Sequence, residues 1–164
     1  MAKTINISLS SKSINHAIVT LESYRRGVLK KTMALARELA LIGLSHASGG
    51  FATATYDGNN DVIVFVESTE TGYRIVAEGE AVAFIEFGAG VARGYGYPGT
   101  KPPEIASIGE YGKGRGKRMI WGFYDSDDNL VLTSGNPPHA PMYGAVKEIH
   151  ARVESIARRI FASD

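Results

Sequence analysis

The sequence predicts an α+β protein: a long N-terminal helix and a C-terminal helix packed on a small, mostly antiparallel sheet, with a long glycine-rich loop. Three observations lead there. Apolar residues recur at steps of three and four at both ends of the chain, short β-branched and aromatic runs separated by turn residues fill the middle, and no βαβ unit repeats. A doubly wound sheet would need strands alternating with helices throughout, and this order does not supply that.

Residues 4–9 alternate Ile5, Ile7 and Leu9 with Asn6 and Ser8, which predicts a short, half-buried edge strand. Ser11 or Ser13 then caps a helix whose apolar positions are Ile14, Ala17 with Ile18, Leu21, Tyr24, Val28, Leu35, Leu39 and Ile42. Gly27 inside it costs about 1 kcal/mol relative to alanine, so a break or bend is expected between residues 22 and 28, with a second piece over 30–44. Ser48-Gly49-Gly50 marks the stop, because glycine readily takes the left-handed conformation that ends helices.

Residues 51–56 and 61–67 flank Asp57-Gly58-Asn59-Asn60, a turn sequence tolerant of positive φ, and are read as a hairpin. Val62, Ile63, Val64, Phe65 and Val66 are apolar on both faces, which predicts a central strand covered by helices. A third strand over 73–77 follows Thr71-Gly72. Residues 80–87 fit either helix or strand by period, and their alanines with the bracketing Glu80 and Glu86 favour a short helix. Residues 88–117 are rich in glycine, contain Pro98, Pro102 and Pro103, and read as one long loop.

Residues 118–124 and 130–133 follow as two strands around the polar turn 125–129. In the last helix Met142, Ala145 with Val146, Ile149, Val153, Ile156 with Ala157, and Ile160 form one stripe. Glu148 with Arg152 and Glu154 with Arg158 pair on its polar side, and Pro141 suits its first turn.

A length of 164 residues suits a single domain, 1–164. An apolar fraction of 44% with 21% charged residues excludes wholesale disorder. With 18 basic and 17 acidic side chains, the net charge of +1 gives no global attraction for a polyanion, so any electrostatic partner must be read by a local patch. The absence of cysteine excludes disulfides and thiolate metal sites and fits synthesis in a reducing cytoplasm. The N-terminus lacks a signal-peptide core and no stretch reaches the roughly 18 apolar residues of a membrane span, so no membrane partner is expected.

Catalytic and cofactor motifs fail on context. Gly94-Tyr95-Gly96-Tyr97-Pro98-Gly99 matches G-x-G-x-x-G, but Thr100-Lys101-Pro102-Pro103 cannot open the helix a dinucleotide site needs. His16, His46, His139 and His150 show no H-E-x-x-H spacing; His150 and Glu154 share a helix face, which is too little for a metal. Ser134, His139 and Asp125 lack a nucleophile elbow, and Asp127 and Asp128 are explained by their turn. No catalytic, cofactor-binding or metal residue is assigned, and no enzyme is expected.

The one concentrated charge is Lys113-Gly114-Arg115-Gly116-Lys117-Arg118, near the aromatics Tyr111 and Trp121. Lys113, Arg115, Lys117 and Arg118 are the candidate contacts to an acidic protein surface or to nucleic acid. A loop as long as 88–117 is uncommon unless it binds something or orders on assembly, which argues for a partner.

Several stretches fall in a distinctive order. The long N-terminal helix is followed by Ala83-Phe84-Ile85-Glu86-Phe87-Gly88-Ala89-Gly90, a glycine-rich insert, and Gly135-Asn136-Pro137-Pro138-His139-Ala140-Pro141-Met142-Tyr143 before the last helix. In this the chain resembles the small tail-component proteins of long-tailed bacteriophages, the tail-completion or head-tail neck family, over nearly its whole length. The resemblance implies a virion protein, made in the bacterial host cytoplasm, whose copies assemble as a ring at the head-tail junction. Its implied partners are itself and neighbouring connector, tail-terminator or tail-tube proteins, with transient contact to passing DNA; it brings no cofactor and no catalytic residue. The alternative is a small nucleic-acid-binding protein using the basic run 113–118.

Phe84, Glu86, Phe87, Gly88, Pro137, Pro138, Pro141 and Met142 are assigned to the fold rather than to chemistry. Phe84, Ile85 and Phe87 are expected on the core, Gly88 and Gly90 to turn the chain out of its element, and the prolines to stiffen the approach to the last helix.

Overall fold

Ser10 is extended, and its hydroxyl accepts from the Ser13 amide at 3.3 Å, so helix α1 starts at Ser11 and runs to Ala52. The computed structural model describes residues 4, 6–90, 96–100, 119–125 and 127–162. The break expected near Gly27 is absent: α1 is one helix of 42 residues. A single glycine removes only its own share of propensity, and the neighbouring backbone bonds carry the helix across it. Nor does Ser48-Gly49-Gly50 end it. The helix stops only at Thr53, whose N–H donates to the Gly49 carbonyl at 3.1 Å.

The edge strand expected over 4–9 does not form. Residues 6–8 adopt no regular structure, and Ile7 and Leu9 are exposed. Alternation alone cannot hold a strand that has no neighbour to bond, and here the Ser8 amide instead donates to the Ser13 hydroxyl at 2.9 Å.

Strand β1 (Ile63–Ser68) pairs antiparallel with β2 (Tyr73–Glu78), with Val66 opposite Ile75 and Glu67 opposite Arg74. The hairpin therefore joins 63–68 to 73–78, whereas residues 51–56, expected as its first strand, contain the end of α1. Phe51 decides this: at 1% exposure it anchors the core from the last turn of the helix. Pairing and pleat put Val64, Val66, Ile75 and Ala77 on the face toward α1, and Ile63, Phe65, Glu67, Arg74, Val76 and Glu78 on the outer face. Among the described residues the sheet of β1 has two strands and no helix on its outer face, where Ile63 is 67% exposed, so the expected central strand covered by helices is not found there.

Helix α2 (Val82–Phe87) confirms the helical reading of 80–87. Asp61 holds the turn that leads into it, accepting from the Glu80 amide at 2.7 Å and the Ala81 amide at 2.9 Å. These backbone bonds hold the Asp61 carboxyl below the usual carboxylate range. Phe51, Ala81 and Ile85 form the core, with Val64, Ala77 and Met142 packed against them.

Strands β3 (Trp121–Tyr124) and β4 (Leu130–Thr133) form a second antiparallel pair. Asp125 ties their turn by accepting from Asn129 N at 2.8 Å and Asp127 N at 3.0 Å, which lowers its carboxyl in the same way.

Helix α3 (Pro141–Ala162) begins at Pro141 as expected and runs antiparallel beside α1. Gly50 meets Pro141, His46 meets Gly144, Gly43 meets Ile149, and Glu38 pairs with Arg159. A β-carbon on Gly50 would lie 2.7 Å from the Pro141 β-carbon, so the two helices approach through small residues, among them Ala40, Gly43, Ala47 and Ala145. The protein is α+β, with helices at both ends and two small antiparallel sheets between. Of the expected loop 88–117, residues 88–90 and 96–100 are described and lie in neither helix nor strand; the rest lies outside the described residues.

Candidate interaction surfaces

Phe84, Glu86, Phe87, Gly88, Pro137, Pro138, Pro141 and Met142 are brought together where α2 ends and α3 begins. Three α2 carbonyls that the short helix leaves unpaired are taken up by the segment before α3. Phe84 O accepts from the Asn136 side chain at 2.8 Å, Ile85 O from His139 N at 2.9 Å, and Glu86 O from Ala140 N at 3.2 Å. Ala89 and Asn136 exchange two further bonds, at 2.9 and 3.1 Å. Gly88 turns the chain into this contact with φ of 75°, where a β-carbon would meet the Pro138 nitrogen at 2.8 Å. Pro137 and Pro138 carry no N–H that this pairing would leave unbonded.

Glu86 sits at the centre, 3% exposed. α3 has no acidic residue in its first turn and Ala140 before it, so it lacks a cap of its own. Glu86 supplies one from α2: its carboxylate accepts from Met142 N at 2.8 Å and Tyr143 N at 3.1 Å, completing the bonds that a local cap would make. The Tyr97 hydroxyl donates to the same carboxylate at 3.2 Å, with its ring between Phe87 and Tyr143. Burial first, then the charge and hydrogen bond of Glu86, push the Tyr97 phenol up to about 12. In the sequence Glu86 is a helix boundary and a member of the structural motif, with no partner assigned to its carboxylate. Its role had one readable signal, a helix that begins Ala140-Pro141 with no acid or hydroxyl to cap it.

A cavity of about 210 Å³ lies between the second sheet and α2, lined by Tyr56, Phe84, Trp121, Phe123, Thr133 and Asn136 among others. At its wall the Thr133 hydroxyl donates to Asp57 at 2.6 Å and accepts from Gly135 N at 2.9 Å. An open apolar groove lies between α1, β2 and α3, with Leu39, Ile75, Met142 and Ile149 on its walls.

The residues weighed for chemistry have other uses. His139 donates from Nε2 to the Thr55 carbonyl at 3.1 Å, Asp125 holds its turn, and Glu154 pairs with Arg158 instead of joining His150. Among the described residues no group of three or more His, Asp or Glu side chains is placed to hold a metal. No described helix is long and apolar enough to cross a membrane. Lys113, Arg115, Lys117 and Arg118 lie outside the described residues.

The apolar positions that predicted the N-terminal helix are not all covered in the fold. Because Arg159 reaches Glu38 and α3 ends at Ala162, α1 residues 11–33 extend past the end of α3. This arm is about 35 Å long at 1.5 Å per residue. Ala17 is its one buried residue. Ile14, Ile18, Val19, Leu21, Tyr24, Leu29 and Met33 are exposed, Val19 by 60% and Leu21 by 53%. No family model, curated protein or solved structure matches the chain.

Proposed function

We propose that this protein is a tail-completion or neck component of a long-tailed bacteriophage. It assembles in the virion at the head-tail junction as a ring, beside connector, tail-terminator or tail-tube proteins. The observation that carries the reading is the arm of α1, which keeps seven large apolar side chains in water. An apolar surface of this kind marks a contact site for another protein. The resemblance supports the same reading. Its two motifs, 83–90 and 135–143, are hydrogen-bonded to each other through Asn136, His139 and Glu86, so what resembles the family is the scaffold on which α1 is mounted.

The test is mass spectrometry of purified particles together with deletion of the gene. The protein should be present in a fixed number of copies per virion, and its loss should leave heads and tails unjoined or tails unfinished. Absence from virions, or normal tailed particles without it, overturns the proposal.

A second reading is a nucleic-acid-binding protein, favoured by four cations within six residues at Lys113, Arg115, Lys117 and Arg118. Binding to duplex DNA should then weaken steeply as salt rises. Binding that survives replacement of all four residues removes this reading.

A further inference from the structure

Charge is sorted along this chain although the total is near zero. The arm, residues 11–33, carries Lys12, Arg25, Arg26, Lys30 and Lys31 against Glu22 alone. Residues 57–80 carry Asp57, Asp61, Glu67, Glu70, Glu78 and Glu80 against Arg74 alone, and Arg74 is already paired with Glu67. Both regions also keep apolar side chains at the surface. The arm shows Ile14, Ile18 and Leu21, with Arg25 next in the same seam at steps of four and three. On the outer face of the hairpin, Ile63 is exposed and Phe65 and Val76 are half-buried, with exposed Asp61, Glu78 and Glu80 at one end.

We propose that the arm of one copy lies across the outer face of the β1–β2 hairpin of a second copy, head to tail. The apolar seam of the arm covers Ile63, Phe65 and Val76, while Arg25 and Arg26 meet Glu78 and Glu80. The inference rests on the assembly reading and names the interface by which copies join.

Three considerations select this occupant. The arm cannot reach its own hairpin, because the hairpin packs beside Gly43 and Phe51 in the other half of the same rigid helix. Arm against arm is disfavoured, since Arg25 lies inside the apolar seam and would face a second arginine-rich helix. Length also agrees: six-residue strands span about 20 Å, which an arm of about 35 Å covers. A contact between two different surfaces of the same chain repeats from copy to copy, and closes into a ring when the rotation allows.

The experiment is sedimentation velocity on the full chain with two charge-reversed variants, R25E/R26E and E78K/E80K. All four positions are exposed and outside the core, so circular dichroism and the melting temperature serve as folding controls. The unmodified chain should self-associate at low salt and dissociate as salt rises. Each variant alone should associate about tenfold more weakly or worse, because like charges then face one another. Mixing the two should restore association, since each arm now finds a hairpin of opposite charge. Unchanged association of either variant, or no recovery on mixing, overturns the interface. A chain that stays monomeric while its arm binds duplex DNA or anionic vesicles also overturns it. Particle composition separates this from the assembly reading: protein still present in virions alongside a failed charge swap removes the interface alone.

Discussion

The two halves of α1 share one backbone and opposite surfaces. From residue 34 to Ala52 the buried positions are Ala40, Gly43, Ala47 and Phe51, and α3 and the β1–β2 hairpin close over them. From Ser11 to residue 33 seven large apolar side chains stay exposed. Hydropathy therefore does not tell which half is core. Small residues mark where another helix comes close, and large ones without a facing element mark where another molecule is needed.

This contrast can be broken first by truncating one large side chain in each half. Phe51→Ala is expected to lower unfolding stability by about 4 kcal/mol, whereas Leu21→Ala changes it by less than about 0.5 kcal/mol, both read by urea denaturation. Comparable losses at the two sites would mean that the arm is packed within the monomer. Next in size is the cap supplied by Glu86. Glu86→Ala leaves the part-buried Met142 and Tyr143 amides without that acceptor and should cost about 2 kcal/mol. Glu86→Gln keeps one acceptor oxygen and should recover part of that loss; equal melts for the two variants would rule out the capping role.

The same substitution in both halves sharpens the comparison further. Gly50→Ala sets a β-carbon against the rigid Pro141 ring and should destabilise by about 1–2 kcal/mol, net of the gain in helix propensity. Nothing lies within 4 Å of a β-carbon on Gly27, so Gly27→Ala should raise helix content in the far-ultraviolet spectrum and leave the melting temperature unchanged. A lower melting temperature for Gly27→Ala would show that the arm is folded into the body.

The smallest effect is at alkaline pH. The Tyr97 phenol is raised from 10.0 to about 12, so the folded state favours its neutral form. That contribution is complete below pH 10.0 and is lost as pH climbs through about 12. Tyr97→Phe should flatten this alkaline decline; burial raises Tyr56 too, so a lesser decline of the same sign remains. An unchanged slope would place Tyr97 away from Glu86.

The sequence was most legible where one physical rule governed an element. The stripe from Met142 to Ile160 gave α3 with Pro141 at its start, and Gly88 and Gly90 adopt positive φ where the chain was expected to turn. It was least legible where rules competed. Gly49-Gly50 carries the residue type that ends helices, but Gly50 serves the close approach of Pro141, and the helix continues until Phe51 reaches the core. Moving that boundary removed residues 51–56 from the hairpin and gave their place to β2. Ile7 and Leu9 had the right period for a strand and no partner strand among the described residues. Glu86 and the arm were hidden for another reason: both depend on what stands opposite, which one-dimensional spacing does not carry.

The most direct measurement is hydrogen exchange along α1, followed at low and high protein concentration. A helix half that keeps most of its large apolar side chains in water opens locally, so in the dilute chain amides over residues 11–33 should exchange orders of magnitude faster than those over 34–52. As copies associate, the arm amides should slow toward the values of the body half. Equal protection of both halves at every concentration would contradict an arm that waits for a second molecule.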